Sequence, residues 1–322
     1  MFALILTLSL FTTPAAAQEA GAVPAVEEEA LPTQAELAAY LEGEGLSPEE
    51  AAQSAAAILA EMEFEASLTY QTGEIAIADG RATLTVPEDF GYLSPEDSDS
   101  VLVAWGNLPG VGAYGMLVPA GLSLFSEEGW AVIIDYEEDG YVSDEDAADI
   151  DYDELLTEMQ EGTEASNEAR VAAGITSLHL DGWAEPPSYD AQSHKMYWAK
   201  LLSSDDGGRS LNYDVRVLGR QGVLSMSAVA GASEFSTVKQ SMERVLAFAE
   251  FNDGHRYTQF DPGVDKVAAY GIGALVAGKV AAKVGFFKGL MAMMIAGKKF
   301  VVIGVIAAAA ALKKLFGRGG DS

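Results

Sequence analysis

The sequence predicts an α+β fold: an antiparallel β-sheet domain with packing helices, lying between an N-terminal signal peptide and a C-terminal transmembrane helix. Three observations support this prediction. Apolar residues alternate with a period of two through much of the middle of the 322-residue chain. Stretches with helical spacing interrupt or flank these segments, and the net charge changes sign near the C-terminus.

The N-terminus has the pattern of a secretory signal peptide over residues 1–17. Leu4–Phe11 is a short apolar core, and Ala15–Ala17 supplies the small residues that a signal peptidase accepts. Residues 18–34 are rich in Ala, Glu and Pro, which is typical of a disordered lead-in. We therefore expect export of the chain and removal of the leader.

A helical segment is predicted over residues 35–65. Within it, Ser47 is placed to cap a helix that begins with Pro48, and Glu50 is placed to complete a capping box. Apolar residues then recur at helical spacing to about Met62.

Residues 66–264 are predicted to form one α+β domain outside the cytoplasm. Strands are expected wherever apolar residues alternate between turn signals such as Asp79-Gly80, and helices are expected over 149–170 and 235–251. The predicted strands are 68–70, 74–78, 82–86, 101–105, 130–136, 175–183, 193–202, 211–218 and 223–230. Neighbouring hairpins with helices gathered elsewhere indicate an antiparallel sheet in a single core.

The charge is divided unevenly along the chain. Nine of the 19 basic residues and one of the 49 acidic residues lie from Lys266 onward, so this tail carries +8 and the preceding part −38. An acidic body repels phosphates, and we expect no nucleic-acid partner. The absence of cysteine excludes disulfides and thiol catalysis.

The tail has the composition of a membrane anchor. Phe300–Leu312 is uncharged and apolar but is only about 20 Å long as a helix, short of the roughly 30 Å hydrocarbon core. We therefore predict an amphipathic interfacial helix over 265–297, one transmembrane helix over 295–315, and a cytoplasmic tail over 316–322. A hairpin of two short spans turning at Gly297 and a buried soluble helix are the alternatives. Lys313, Lys314 and Arg318 fit the positive-inside rule.

The predicted location is thus the bacterial inner membrane, with a single pass and the main domain in the periplasm. The lipid bilayer is the expected partner of the C-terminal helix. Small residues at Ala281, Gly285 and Gly289 recur every fourth position, a spacing that permits self-association of helices in lipid.

An ordered series of short motifs resembles the domain-of-unknown-function 2167 family, from Ala66 to the C-terminus. The series is Gly140-Tyr141-Val142, Gly182-Trp183, Pro187, Tyr189-Asp190, His194, Trp198-Ala199, Leu211-Asn212-Tyr213, Leu218-Gly219-Arg220-x-Gly222-Val223-Leu224, Phe251, Gly254-x-Arg256-Tyr257 and Ala269-Tyr270-Gly271. The resemblance implies a secreted, membrane-anchored bacterial protein and no established activity. The element order is also loosely similar to small α/β sandwiches of the Mog1 and PsbP type, which is an analogy of fold only.

Few residues point to catalysis. His194 is the best candidate for acid–base chemistry, and we expect it on one strand face with Met196 and Trp198. His179 is expected on the strand face opposite its leucine neighbours, and His255 in a loop. No common catalytic motif is present.

An acidic run also raises the possibility of calcium binding, because Asp149, Asp151 and Asp153 have the first spacings of an EF-hand loop. Glu154 stands where that loop requires glycine, so the match fails. The acids instead suit the start of a helix, and no metal or cofactor is predicted.

A set of aromatic, amide and arginine residues has the chemistry of a binding cleft or of a core. These candidates are Trp183, Tyr189, Trp198, Asn212, Tyr213, Arg220, Arg256 and Tyr257. The sequence therefore favours a non-enzymatic binding or scaffolding protein of the envelope. The alternative is an envelope hydrolase that uses His194 with a nearby carboxylate and Arg220.

Overall fold

A computed structural model of the chain describes residues 31–107, 109–172 and 176–278. The chain divides into two compact units, with the boundary after Leu68. The described part of the first unit is helical, whereas the second unit contains all the described strands.

The first unit contains two helices, α1 (Gln34–Gly43) and α2 (Pro48–Ser67). The side chain of Ser47 accepts a hydrogen bond from the backbone of Glu50, whose carboxylate accepts one from the backbone of Ser47, so the predicted capping box is confirmed. A second capping box, between Thr33 and Glu36, starts α1. Of the predicted lead-in, only residues 31–34 are described, and Gln34 already belongs to α1.

The second unit contains twelve described strands. They are β1 (Gly73–Ile77), β2 (Ala82–Val86), β3 (Phe90–Leu93), β4 (Gly115–Pro119), β5 (Ala131–Glu137), β6 (Tyr141–Ser143), β7 (Leu178–Asp190), β8 (Lys195–Ser204), β9 (Arg209–Leu218), β10 (Val223–Gly231), β11 (Ala249–Phe251) and β12 (Val267–Gly271). Its helices are α3 (Pro95–Ala104), α4 (Tyr152–Ala172), α5 (Phe235–Phe248) and α6 (Ile272–Ala277).

The strands form three sheets. The largest has seven strands in the order β3-β4-β5-β10-β9-β8-β7, and all its pairings are antiparallel. A small sheet has the order β1-β2-β11, and β12 pairs with β6 in parallel. The predicted antiparallel α+β class is therefore confirmed.

The two faces of the large sheet differ. The first face carries the main apolar core, in which Tyr213 and Met226 pack with the α5 residues Val238, Met242 and Val245. On the second face, Met196, Trp198 and Val223 belong to a smaller apolar cluster that also includes α6. Alternation along each strand assigns successive residues to opposite faces.

Several predicted elements are wrong. Val101–Trp105 was expected as a strand, yet residues 95–104 form α3, because Ser94 caps a helix whose first turn contains Pro95 and two acids. Leu68–Tyr70 is not a strand, and β3 and β4 were not predicted. The helix predicted over 235–251 ends at Phe248, and the chain continues as β11.

The interfacial helix predicted over 265–297 is also wrong at its start. Val267–Gly271 is β12, whose pairing with β6 ties it into the second unit. Helix α6 follows, its first two amide groups donating to Asp146, and it ends at Gly278 in the left-handed region.

Residues 1–30 and 279–322 lie outside the described residues. The signal peptide, the remainder of the interfacial helix, the transmembrane helix, the cytoplasmic tail and the small-residue stripe at Ala281, Gly285 and Gly289 therefore stay predictions. Within residues 31–278, no described helix has the length and apolarity to span a bilayer.

Candidate functional site

A strip of polar side chains crosses the second face of the large sheet at its centre. Its members lie at alternating positions of β5, β8, β9 and β10, and cross-strand pairing places them in neighbouring rows. We call this set the polar strip: Asp135, Lys200, Asn212, Asp214, Arg216, Ser225 and Ser227.

The register fixes the rows of the strip. Asp135 on β5 lies opposite Ser225, which lies opposite Arg216. In the next row, Ser227 lies opposite Asp214, which faces Trp198 on β8. The strip is therefore a rigid two-dimensional array whose side chains are positioned by main-chain hydrogen bonds.

Asp214 is the centre of an ion network within the strip. Its carboxylate lies 3.1 Å from Lys200 Nζ and 3.2 Å from an Arg216 guanidinium nitrogen, and it accepts a 2.7 Å hydrogen bond from Ser227 Oγ. Asp214 and Arg216 are each only 5% exposed. Burial disfavours the charged carboxylate, but the two cations outweigh this effect and lower the pKa of Asp214.

Two buried groups beside this network have no hydrogen-bond partner. They are the indole Nε1–H of Trp198, which is 1% exposed, and Ser225 Oγ, in a residue that is 3% exposed. The Arg216 guanidinium lies over the Trp198 ring at 5.1 Å from its centroid, a cation–π arrangement. The indole N–H of Trp198 and the hydroxyl of Ser225 could therefore form hydrogen bonds with a ligand beside the charged network.

The β5 side of the strip is acidic. Burial raises the pKa of Asp135, although the charge of Arg216 partly opposes that shift. Glu137 follows on the same face of β5, and Asp139 just beyond it accepts a hydrogen bond from Tyr270 of β12. Negative charge therefore accumulates where β5 approaches β12.

The strip is buried at Asp214, Arg216 and Ser225 and only partly buried at its other positions. Helix α5 is the only described helix of the second unit that packs extensively on β9 or β10, and it lies on the opposite, apolar face. Lys200, Asn212, Ser227 and Asp135 are half-buried. Helix α3 packs beside β3 and β4, and α4 packs beside β7.

His194 belongs to a separate aromatic cluster. The prediction that it lies on a strand face is wrong. His194 lies in the turn before β8 and has a left-handed φ of 53°. Its Nδ1 lies 3.2 Å from the Tyr189 hydroxyl, which donates to Asp144, and its ring lies 4.3 Å from that of Tyr257. Tyr257 in turn stacks on Tyr141.

This cluster is a structural tie between loops. Burial raises the pKa of Tyr189, and its hydrogen bond to Asp144 adds to the shift. Burial likewise raises the pKa of Tyr257, whose hydroxyl donates to the carbonyl of Val142. Both phenols therefore stay protonated donors and hold β6 against the β7–β8 turn.

Arg220 is engaged elsewhere. Its Nε donates a 2.6 Å hydrogen bond to Asp265, which raises the pKa of Arg220 and lowers that of Asp265. Among the described residues, no hydrogen bond or ion pair joins the side chains of His194 and Arg220. Arg256 is largely exposed and lies 3.9 Å from Asp253.

The other predicted binding residues are divided between the two faces. Tyr213 is fully buried in the main core and donates to Glu185, whereas Asn212 belongs to the polar strip. Trp183 packs against the smaller cluster, and its indole donates to the carbonyl of Tyr152. Four of the eight candidates, Trp183, Tyr189, Trp198 and Tyr257, share the smaller apolar cluster, and Asn212 belongs to the polar strip, so the eight form no single cleft.

The acidic run near residue 150 caps a helix. Asp151 accepts from the backbone amides of Asp153 and Glu154 at the start of α4, as its position predicts. Among residues 31–107, 109–172 and 176–278, no group of three acidic or histidine side chains is arranged to hold a metal ion.

Sequence reasoning missed the centre of the polar strip. Asp214 and Arg216 alternate with buried valines, which is also the pattern of a strand with one solvated face. The sequence does show that three of these strands, β5, β9 and β10, carry polar residues at alternate positions. That signal needs the strand order, which one sequence does not supply.

The fold and the strip together define an acidic α+β domain built on a seven-stranded antiparallel sheet with a polar strip on one face. The chain belongs to the DUF2167 family of proteins of unknown function, whose pattern it matches over residues 69–309. A search among curated proteins gives no match.

Two solved structures show weak similarity to the chain. The solution structure of cyanobacterial PsbP (CyanoP) from Synechocystis sp. PCC 6803 has 12% identity and a TM-score of 0.32, covering 58% of this chain and 94% of its own. The crystal structure of the Saccharomyces cerevisiae Ran-binding protein Mog1p has 12% identity and a TM-score of 0.27, covering 61% of this chain and 100% of its own. Likeness at this level supports no functional argument.

Proposed function

We propose that this protein is a membrane-anchored bacterial envelope protein whose periplasmic domain acts by binding, with the polar strip as its contact surface. The observation that carries the binding role is the buried Asp214 network with the unpaired Trp198 indole N–H and Ser225 hydroxyl beside it. A charged network of this kind costs desolvation energy. It is more readily explained by recognition than by stability alone.

The anchoring part of the proposal rests on the sequence. A leader over residues 1–17 and a cationic apolar tail on an acidic body are the features of an exported protein held in the inner membrane. The bilayer is then the partner of residues 295–315, and residues 316–322 lie in the cytoplasm.

The hydrolase alternative gains no support from the geometry. His194 approaches Asp144 only to 3.9 Å, with the Tyr189 hydroxyl between them, and Arg220 is held by Asp265. An acid–base pair needs direct hydrogen-bond reach or one bridging water. We therefore favour binding over catalysis.

The anchoring is tested by fractionation and protease treatment of intact spheroplasts. We expect a mature chain beginning at Gln18 in the membrane fraction, with an epitope inserted in the turn at residues 205–208 digested and a C-terminal tag protected. A full-length chain, leader included, in the soluble cytosolic fraction would refute the proposal.

The binding surface is tested by a photo-crosslinking amino acid at Asn212 in the strip. The matched control carries the same group at Glu74, an exposed position of β1 in the same unit. We expect a discrete adduct from Asn212 alone, absent when Ser227→Arg places a bulky side chain in the strip. Equal adducts from both positions would mean that the strip has no special role.

A further inference from the structure

A run of exposed apolar residues lies on β12 and on the loop before it. Val264 is 75% exposed and Val267 is 53% exposed, and Pro262 and Ala269 are exposed as well. We call these four residues the apolar edge. Single exposed valines are common on protein surfaces, but several exposed apolar residues close together mark an interaction site.

The backbone of β12 turns this edge outward. Val267 and Ala269 alternate with the buried Ala268, so they share the strand face that points away from the smaller apolar cluster. Among the described strands, β12 pairs only with β6, and no other described strand pairs with its free side. The edge is therefore an outer border of the second unit.

The loop that carries Val264 has a fixed shape. The amides of Val264 and Asp265 both donate to the carbonyl of Asp261. The carboxylate of Asp265 accepts a 2.6 Å hydrogen bond from Arg220 and a 2.7 Å hydrogen bond from the amide of Asp261. Because Val264 is already held in place on the surface, little conformational entropy is lost when it makes a contact.

Aromatic rings lie beside the edge. Val267 pairs with Tyr141 in the register of β12 and β6. The Tyr141 ring stacks on Phe260 at 4.0 Å and on Tyr257 at 4.4 Å between ring centroids. Tyrosine rings at the border of an apolar surface are typical of the membrane–water interface.

The charge of the edge differs from that of the domain. The chain before Lys266 carries −38, and anionic lipids repel such a body. Within residues 260–269 the charged residues are Asp261, Asp265 and Lys266, and Arg220 pairs with Asp265. Counted with Arg220, the edge has no net charge, so electrostatic repulsion does not oppose its contact with lipid.

The edge also lies close in sequence to the predicted anchor. Only α6 separates β12 from Gly278, where the described chain ends, and the transmembrane helix is predicted over 295–315. We propose that the apolar edge contacts the same bilayer, with Val264 and Val267 inserted below the lipid headgroups. This inference rests on the proposed anchoring and adds a membrane contact within the folded domain. Two contacts fix the orientation of the domain on the membrane, whereas the anchor alone leaves it free to rotate.

Fluorescence in proteoliposomes tests the proposal on the full-length chain, which has no native cysteine. An environment-sensitive fluorophore is attached to Val264→Cys, and the vesicles consist of phosphatidylethanolamine and phosphatidylglycerol with a nitroxide-labelled lipid. The matched control is Val171→Cys, at an exposed valine of α4. Tyr152, at the start of α4, packs on the same apolar cluster as α6. Val171 lies about 28 Å further along that helix, at about 1.5 Å per residue. We expect emission at shorter wavelength and quenching by the labelled lipid at position 264, and neither change at position 171.

A fluorophore at Ala269→Cys supplies a second readout. Adding Val264→Glu and Val267→Glu should abolish lipid quenching at position 269, while sedimentation of the chain with the vesicles, which reports the anchor, stays unchanged. Chains that sediment with the vesicles but show equal quenching at positions 264 and 171, or none at 264, would overturn this inference alone. A wavelength shift at 264 without quenching would mean that protein, such as a second copy of the chain, covers the edge, and would overturn it as well. Chains that do not sediment would refute the anchoring and this inference together.

Discussion

Replacing Asp214 with asparagine isolates the charge at the centre of the polar strip. Asparagine keeps the size of the side chain and can still accept from Ser227, but Lys200 and Arg216 lose their shared counter-charge. Removing one member of a buried ion network typically costs about 3–5 kcal/mol, because the remaining charge stays desolvated. Against a typical total of about 5–15 kcal/mol, the domain should be left marginally stable.

Urea denaturation of the full chain, followed by tryptophan fluorescence, measures this loss. The double variant Asp214→Asn with Lys200→Met removes one of the orphaned cations and should recover part of the stability. The linkage has a definite sign. Because the folded pKa of Asp214 is lowered, its contribution is present above about pH 4 and is lost as the pH falls further. A loss below 1 kcal/mol for Asp214→Asn would show that the network is solvated and that the reasoning is wrong.

Three further substitutions test other parts of the fold. Lys195→Met leaves two carbonyl oxygens at the end of α5 without their ammonium donor, and it should lower the free energy of unfolding in urea by roughly 1–3 kcal/mol. Lys239→Met, at a more exposed ion pair, should lower it by under about 1 kcal/mol. The carboxylates of Glu164 and Asp205 raise the pKa of His179, so the stabilisation of the fold by His179 is complete below about pH 6.5 and declines as the pH rises through the folded pKa. Thermal unfolding of His179→Gln should lack this pH dependence. A pH profile of Tm identical to that of the wild type would contradict the assignment. Gly222→Ala puts a methyl group 2.2 Å from the backbone oxygen of Glu137 and should destabilise the fold by several kcal/mol. Gly162→Ala, at an open position of α4, should stabilise it by about 0.5–1 kcal/mol. The Tm of each variant measures the change.

The secondary structure was predictable where local chemistry decides it. The capping box at Ser47, the Asp79-Gly80 turn and the alternation through β9 each follow from spacing within a few residues. Local pattern misled at Val101, where a short apolar run resembles a strand although the Ser-Pro start upstream specifies a helix. Short apolar runs are ambiguous in this way until their flanks are weighed.

The candidate site was less predictable because it depends on which strands are neighbours. The residue types of Trp198 and Asn212 suggest ligand binding. The local sequence does not show, however, that Asn212 faces the polar strip while its neighbour Tyr213 faces the core. Asp214 has meaning only when β10 and β8 flank β9 in the observed register. Long-range pairing of this kind is not encoded in any single window of sequence.

The route by which the chain leaves the domain has a mechanical consequence. Tension applied beyond Gly278 first meets the Asp146 bonds to the start of α6, then the pairing of β12 with β6, and then the Arg220–Asp265 ion pair. These small attachments lie in series ahead of the seven-stranded sheet. A force applied to the tail is thus expected to unfold about the last 20 residues of the domain locally, before the seven-stranded sheet unfolds.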